Sequence, residues 1–534
     1  MAEILNLLPS TLYLMSNILI DLATSFGIIA LHGLLLTALL LSQTQARWKI
    51  ARHLLGIHLI VSLALLLISF SQPNAQLNTL FSFTPLSMVM MTLISFIGLV
   101  VLRFAQQNLL GDPDHARFLK WYLLTLIAVS ITVTANHLVL LFVAWMSISL
   151  SLHNLLLFYP QRPRAALAAH KKFLFARLSE ALLLSAFIIL YWQHDSLHIN
   201  VLMAQYTDNY TPSLADQLAM VMLALVALIK CAQLPLHGWL IQVVEAPTPV
   251  SALLHAGIIN LGGFLLLLFS PLLSVSVAAQ WLILIVAGIS CVLAALIMMT
   301  RISIKVRLAW STVTQMGLML IECALGLYEI ALLHLIAHSC YKAHAFLSSG
   351  NAVNNYLGQQ FTQSAKPNKH HWLAALSCVL VIGISLVVVL SLLTPQTGWS
   401  SLSAPALISP WLLISIAVVS LLAYHFSNPN KHSTSKALIT AVIGVSIYSL
   451  LSLITHQIVP SHINTQVSAD IWISVLFLSL FITFLWLQYA TNSPASRHLL
   501  IALNAGFYLD EWVTRTTLRL WPLALPSTSA KTIK

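Results

Sequence analysis

The sequence predicts an all-α integral membrane protein with about 15 transmembrane helices. Hydrophobic residues make up 59% of the 534 residues and charged residues only 7%, whereas a soluble globular domain has about 25% charged residues. The apolar runs are continuous rather than alternating, which favours spanning helices over a β-barrel. This composition excludes a cytosolic enzyme, a nucleic-acid-binding module and a disordered scaffold.

The predicted helices follow directly from the apolar segments. Each segment is close to the roughly 20 residues that a spanning helix needs. The segments are 18–42, 54–71, 82–104, 118–135, 137–158, 173–192, 214–232, 249–270, 279–299, 308–325, 328–349, 373–393, 410–425, 437–458 and 470–490.

The orientation follows from the basic residues, which occur in the loops after the odd-numbered segments, as in Arg47–Arg52 and Arg301–Arg307. Cytoplasmic loops carry an excess of Lys and Arg. We therefore expect a multi-pass protein of a bacterial inner membrane, with its N-terminus outside and its C-terminus in the cytoplasm. The net charge of +11 indicates this topology rather than nucleic-acid binding. Only three basic residues are predicted to lie inside helices: Arg177, Lys230 and Lys342.

The C-terminal segment Asn504–Trp521 is short and amphipathic. Its spacing predicts a cytoplasmic surface helix or a docking segment. A disordered tail is the alternative.

Lys230 lies late in the seventh apolar segment, and Pro235 follows it closely. A proline inside a helix breaks or kinks it, and broken helices at mid-membrane commonly line ion sites. A buried lysine also gains and loses a proton readily. The pattern predicts a proton-carrying Lys230, and the alternative is a structural lysine that reaches toward the surface.

Arg177 and Glu180 are three residues apart in the sixth segment, so they share one helical face. A pair costs less in lipid than either charge alone. If Arg177 released Glu180, this carboxylate could stabilise protonated Lys230 instead. A static buried ion pair is the alternative.

The eleventh segment places His334, His338 and Lys342 four residues apart on one stripe. This spacing predicts a hydrated proton relay, because histidine titrates near neutral pH. A structural polar core and a zinc site are the alternatives, and Lys342 would oppose a cation. We interpret Glu322 and Glu329 as interfacial residues, with a role in proton exit as the alternative.

Motifs for enzymatic chemistry are absent from the sequence. It contains no dinucleotide-binding loop, no Walker loop, no nucleophile elbow and no pair of catalytic carboxylates. The five cysteines include no CxxC pair, and we interpret them as packing residues. The sequence therefore predicts a transport subunit with no catalytic residues and no cofactor or metal of its own.

Three blocks of sequence resemble the proton-translocating antiporter-like membrane subunits, which include the large subunits of respiratory complex I and the Mrp antiporters. These blocks are LPLHGWLIQVVEAPTPVSALLHAGIINLGG, STVTQMG and HLIAHSCYKAHAFLSSG, and FYLDEW resembles a later segment. The resemblance implies broken-helix half-channels joined by a polar axis. The residues that it assigns to ion translocation are Lys230, Glu180, Arg177, His255, His334, His338 and Lys342, with Glu245 as a secondary residue.

The same resemblance divides the chain into four regions: N-terminal helices (1–80), an antiporter-like ion-translocating core (81–350), C-terminal helices (351–490) and a cytoplasmic amphipathic tail (491–534). Two family positions differ in this sequence. The family has a glutamate after the tryptophan of the fifth helix, where this chain has Trp145-Met146. The twelfth segment also lacks the family's charged residue, so the second half of the fold is expected to be degenerate.

The details HKKFLFARLSEA and HGWLIQVVEAPTPVSALLHAG resemble the DabB family most, the membrane subunits of inorganic carbon accumulation complexes. This resemblance implies a cation-conducting subunit in the lipid bilayer, moving H⁺ or Na⁺. It also implies a soluble DabA-like zinc subunit on the cytoplasmic face. The alternatives are a proton-pumping subunit of a complex I-like, membrane hydrogenase or Mrp-type assembly, and a passive membrane anchor.

Overall fold

The chain folds into a bundle of helices, seen in a computed structural model. The structure describes residues 27–41, 47–71, 80–207, 209–352, 357, 366–393, 407–427, 443, 447, 450–451, 454–460, 467–490 and 492–522.

The first half contains the longest helices and one that ends abruptly at Lys230. In chain order, α1 to α9 are Gly27–Leu40, Arg47–Ser71, Pro85–Asn108, His115–Thr134, Leu138–Leu156, Pro163–His194, Ile199–Met203, Leu214–Lys230 and Gly238–Gln242.

The second half begins with two short helices in line and ends with two helices outside the apolar segments. In chain order, α10 to α20 are Thr248–Ala256, Leu261–Leu268, Ser270–Val275, Val277–Met299, Ile304–Ala324, Tyr328–Leu347, Lys369–Leu393, Ile408–Phe426, Val467–Tyr489, Pro494–Asn504 and Leu509–Leu520.

The helical fold class is confirmed. Within the described ranges, nine helices are long and apolar enough to cross a membrane. Each predicted segment from the second to the thirteenth, and also the fifteenth, coincides with a helix or a pair of helices. The start of the first segment (18–26) and most of the fourteenth (437–458) lie outside the described residues, so the number of about 15 helices stays a prediction.

Burial separates central helices from peripheral ones. Within the most apolar 18-residue window of each span, the buried share is 94% in Thr248–Leu268. The buried share is only 28% in Arg47–Phe70 and 22% in Val467–Tyr489. On α2, for example, Ile60 and Leu67 are about two-thirds exposed. Apolar side chains of this kind are compatible with lipid, so α10 and α11 form the centre of the bundle.

Two helix breaks lie in this central region. The first follows Lys230, and its freed backbone groups are paired: Ser290 accepts a hydrogen bond from Leu234 N at 3.0 Å, and Gln233 donates to Cys231 O at 2.9 Å. The predicted break near Pro235 therefore lies where the sequence placed it. Unpaired backbone groups would cost several kcal/mol in lipid, so these partners allow the break.

The second break was not predicted. Gly257 separates α10 from a short 3₁₀ turn, and Asn260 donates to Ala256 O at 3.1 Å and to Ser339 Oγ at 2.7 Å. In the sequence the eighth segment is one continuous apolar run. A single asparagine within such a run does not by itself indicate a break in the helix. Gly262 then lets α11 approach α8, since a Cβ there would lie 2.9 Å from Ala227 O.

The prediction that only three basic residues lie inside helices is wrong. The helix α6 begins ten residues before the predicted sixth segment, and it contains Lys171 and Lys172, both buried. The aliphatic parts of these two side chains extend the apolar face of the helix. The polar sequence HKK by itself is typical of a loop. Buried lysines on α6 require partners from elsewhere in the chain.

One of those partners comes from the tail. Lys171 Nζ donates to Asp510 Oδ1 at 2.7 Å and to Thr514 Oγ1 at 2.9 Å, and Gln242 donates to Asp510 Oδ2 at 2.9 Å. The helix α20 therefore packs on α6 and α9, immediately after the first break. The predicted surface helix exists, but one face of it belongs to the core.

We predict that Gly238→Ala releases α20 from α9. A methyl group on Gly238 would overlap the carboxylate of Asp510, so this side chain must leave its place. Trypsin should then cleave at Arg515 and Arg519 several-fold faster in the purified protein, measured as release of a C-terminal tag. Gly56→Ala is the control, because nothing lies within 4 Å of its Cβ position. Equal cleavage rates in the two variants would contradict the docking.

Candidate functional site

Lys230 is the last residue of α8, and its Nζ lies 4.6 Å from the ring centroid of Trp145 on α5. In the described part of the chain its ammonium has no hydrogen-bond partner. An ammonium over an indole face is stabilised by the ring's quadrupole without a fixed counter-ion. This arrangement leaves Lys230 able to exchange a proton.

Arg177 and Glu180 form the predicted pair on α6. The distance from Arg177 Nη2 to Glu180 Oε1 is 2.8 Å, and the same nitrogen donates to Ser149 Oγ at 3.2 Å. Glu180 is buried, whereas the side chain of Arg177 is one-third exposed. The pair is therefore asymmetric, and Arg177 is the partner with room to move.

Lys172 belongs to the same cluster, although sequence reasoning missed it. Its Nζ donates to the carbonyl oxygen of Ser149 at 2.5 Å and to its hydroxyl at 3.2 Å. A cavity of about 30 Å³ is lined by Lys172, Glu180, Lys230 and Trp145. A water needs about 10–15 Å³ of such space, so this cavity has room for water between the ionisable groups.

The missing family carboxylate has a visible substitute in this cluster. Three residues after Met146, α5 presents the buried hydroxyl and carbonyl of Ser149 toward the cations of α6. A hydroxyl can orient a cation but cannot neutralise it. Glu180 therefore supplies the negative charge of this cavity wall.

His255 lies on α10 and is fully buried. Its Nδ1 is 3.1 Å from Thr312 Oγ1, and its ring stacks on Phe346 at 4.4 Å between centroids. No described residue satisfies its Nε2. A buried nitrogen without a protein partner marks a position for water.

His338 and Lys342 continue the predicted stripe on α15. Lys342 is buried, and its Nζ donates to Ser311 Oγ at 2.8 Å and to Leu308 O at 3.0 Å. Both ring nitrogens of His338 are buried, and neither has a partner among the described residues. The stripe therefore alternates a tethered cation with an unsatisfied imidazole.

His334 lies outward of His338 on the same stripe, with 6.2 Å between the ring centroids. Its Nδ1 lies 3.0 Å from Glu322 Oε2, and its Nε2 lies 2.9 Å from Gln315 Oε1. Glu322, interpreted from the sequence as an interfacial residue, lies two residues before the end of α14 in a buried contact with this histidine. Only the packing of α14 against α15 brings them together.

Glu245 is not part of either cluster. Its carboxylate is 3.7 Å from the exposed guanidinium of Arg164, and its carbonyl accepts a hydrogen bond from Arg162. Glu245 therefore holds the loop before α10 against the start of α6, at the protein surface.

The described residues contain no group of three or more His, Cys, Asp or Glu side chains that could hold a metal. The two clusters contain titratable groups, hydroxyls and room for water. This chemistry supports proton binding and transfer.

The comparisons with known proteins agree with the helical architecture. Residues 135–423 match the family model described as NADH:quinone oxidoreductase/Mrp antiporter, TM. Residues 70–119 match the model described as NADH-Ubiquinone oxidoreductase (complex I), chain 5 N-terminus. The matched regions contain the breaks and both polar clusters.

Two solved structures have a similar fold at low identity. A chain of the Mrp complex from Dietzia sp. DQ12-45-1b has a TM-score of 0.61 and 18% identity, and the match covers 93% of this chain and 60% of that one. A chain of the membrane-bound sulfane sulfur reductase, an archaeal respiratory membrane complex, has a TM-score of 0.54 and 16% identity, with 93% and 100% covered. The fold is therefore antiporter-like.

Two relatives carry the resemblance over most of their length. A protein of Hydrogenovibrio crunogenus named probable inorganic carbon transporter subunit DabB is 45% identical over 91% of this chain and 92% of that protein. A protein of Halothiobacillus neapolitanus named probable inorganic carbon transporter subunit DabB2 is 34% identical over 82% and 80%. This chain therefore belongs to the DabB family of inorganic carbon transporter subunits, within the NADH:quinone oxidoreductase and Mrp antiporter membrane family.

Proposed function

We propose that this chain conducts protons across a bacterial inner membrane and thereby drives an inorganic carbon accumulation complex. The observation that carries the proposal is Lys230 at the end of a broken helix, beside a cavity that it shares with Glu180. Charged groups in a membrane interior are costly, so their default interpretation is functional. A passive anchor would have no need of them.

The Arg177–Glu180 pair controls the charge of Lys230. While Glu180 is bound to Arg177, the ammonium of Lys230 lacks a counter-ion, and its neutral form is favoured. When Arg177 turns away, Glu180 faces the cavity and favours the protonated form. One proton is taken up or released at Lys230 Nζ in each exchange of partners.

The histidine stripe continues the path. Histidine side chains commonly act as proton shuttles; His255, His338 and His334 are the imidazoles of this path, and Lys342 adds a tethered cation. Unsatisfied nitrogens on His255 and His338 are positions where water joins one group to the next. Na⁺ is the alternative ion, and it would need oxygen ligands that these nitrogens do not provide.

The carbon chemistry is assigned to a partner. We propose that a soluble DabA-like zinc subunit binds at the cytoplasmic face and that this chain holds no cofactor. The outward face of α20 offers aromatic anchors for such a partner, since Tyr508, Trp512 and Trp521 are each more than 60% exposed. Aromatic residues commonly dominate protein interfaces.

Lys230→Met is expected to reduce carbon uptake at least tenfold in cells that express the chain with its partner. Methionine fills the same space but carries no proton, so the helix should still insert. The measurement is labelled-bicarbonate uptake, normalised to the amount of protein in the membrane. Lys49→Met is the control, because Lys49 is exposed at the start of α2. Wild-type uptake in Lys230→Met would refute the role of Lys230.

Reporter fusions truncated after Asn209 and after Asn368 are expected to lie on opposite sides of the membrane. Basic residues surround Asn368 but are absent from the loop that contains Asn209. An alkaline phosphatase fusion should be active at Asn209, and a green fluorescent protein fusion should be fluorescent at Asn368. The same side for both positions would exclude this orientation.

Trp512→Ala is expected to reduce co-purification of a zinc-containing soluble subunit from detergent at least fivefold. The variant removes a large exposed ring from the proposed interface. Trp192→Ala is the matched control. This ring is also exposed, at 80%, but it lies at the end of α6 away from α20. Zinc in the purified complex is measured by elemental analysis. Co-purification with flavin or iron–sulfur subunits would favour a redox-driven pump instead, and uptake by the chain alone would exclude the two-subunit mechanism.

A further inference from the structure

Glu322 lies near the end of α14, and its carboxylate is almost enclosed. Its side chain is 12% exposed, and both of its oxygens lie within 3.1 Å of His334 Nδ1. A carboxylate enclosed among apolar side chains is costly unless it is paired or exchanges protons. The ionisable group in contact with it is His334 on α15, and the thiols of Cys291 on α13 and Cys323 on its own helix lie within electrostatic range.

Each ring nitrogen of His334 contacts one polar side chain. Gln315 Oε1 lies 2.9 Å from Nε2, and we assign the tautomer in which Nε2 donates to this oxygen. Nδ1 is then left facing Glu322. Two states of equal composition result: a protonated Glu322 that donates to neutral Nδ1, and an imidazolium that donates to the Glu322 carboxylate. A proton moves between Oε2 and Nδ1 across 3.0 Å, and no other bond changes.

A cavity lies on the other side of Glu322. A cavity of about 60 Å³ is lined by Glu322, Leu318, Ile330, Ser409 and Phe477. Ser409 Oγ is buried in this wall and has no partner within the described chain. A buried hydroxyl without a partner, beside space for several waters, indicates a hydrated cavity.

The wall that holds Ser409 is fixed in place. Asp470 on α18 accepts hydrogen bonds from Ile408 N at 2.7 Å and Ser409 N at 2.8 Å. This carboxylate caps the first turn of α17 and satisfies its free amides. The cavity between α14, α17 and α18 is therefore a built feature of the fold.

From these contacts we infer that Glu322 is the proton-exchanging group at the outer end of the histidine stripe. It takes a proton from water in the Ser409 cavity and passes it to Nδ1 of His334, or the reverse. His338, one turn further in, receives it through a water. This inference rests on the proposed proton conduction, and it supplies the terminal acid that the twelfth segment lacks.

The test is proton flux in proteoliposomes that contain the purified complex with its partner. Glu322→Gln keeps the shape and can still accept a hydrogen bond from His334, so a structural role would survive. Flux should fall at least tenfold, and its dependence on outside pH should flatten. Glu322→Asp retains the carboxyl group and should recover most of the flux with a shifted pH profile. Glu329→Gln is the matched control, because Glu329 pairs only with the exposed His456.

The Lys230 and Glu322 variants distinguish a failure of proton conduction from a failure of the role assigned to Glu322. If the wild-type complex shows no flux that depends on Lys230, proton conduction itself is wrong. If Lys230→Met abolishes flux but Glu322→Gln behaves as Glu329→Gln does, only the role of Glu322 is wrong. Should Glu322→Gln fail to accumulate, Ser409→Val provides the second test. It fills the cavity with methyl groups, and unchanged flux would overturn the inference.

Discussion

A charged side chain in an apolar bundle must be solvated by the protein itself, and the polar interior of this chain depends on how that requirement is met. The described core buries three lysines, Lys171, Lys172 and Lys342, and four carboxylates, Glu180, Asp216, Glu322 and Asp470. Hydroxyl and carbonyl oxygens hold Lys172 and Lys342, a carboxylate from the tail holds Lys171, and an indole face meets Lys230. Oxygen dipoles stabilise an ammonium less than a counter-ion does. The cations therefore differ in their partners, and this imbalance leaves Lys230 with the weakest fixed partners.

The helix breaks determine where polar backbone groups are available to these buried charges. A continuous helix would satisfy its own backbone and leave no polar surface at this depth. Ser290 and Gln233 stabilise the break after Lys230, and Asn260 stabilises the break at Gly257. Each break opens space beside a titratable residue. The same breaks let the tail reach the core, because Asp510 occupies the room left by a glycine at the start of α9.

The two polar clusters differ in how they treat charge. Around Lys230 the groups are the cation of Lys172 and the Arg177–Glu180 ion pair, so Glu180 is the carboxylate that lines this cavity among the described residues. Along α15 the groups are the imidazoles of His334 and His338, and both ring nitrogens of His338 lack a partner among the described residues. Imidazoles exchange protons with little change in structure. The bundle therefore joins an ion-pair cluster and a histidine stripe.

The sequence by itself determined the helical membrane class, most helix positions and the residues of the stripe, because hydropathy and helical period act over short distances along the chain. It also located Lys230 and the nearby break, since a proline changes the backbone where it stands. The family followed from the same local blocks. The tertiary structure alone decided that Lys171 and Lys172 are buried, that Glu322 meets His334, and that the tail packs on α9. These contacts join different helices, and no local pattern in the sequence determines which helix packs against which.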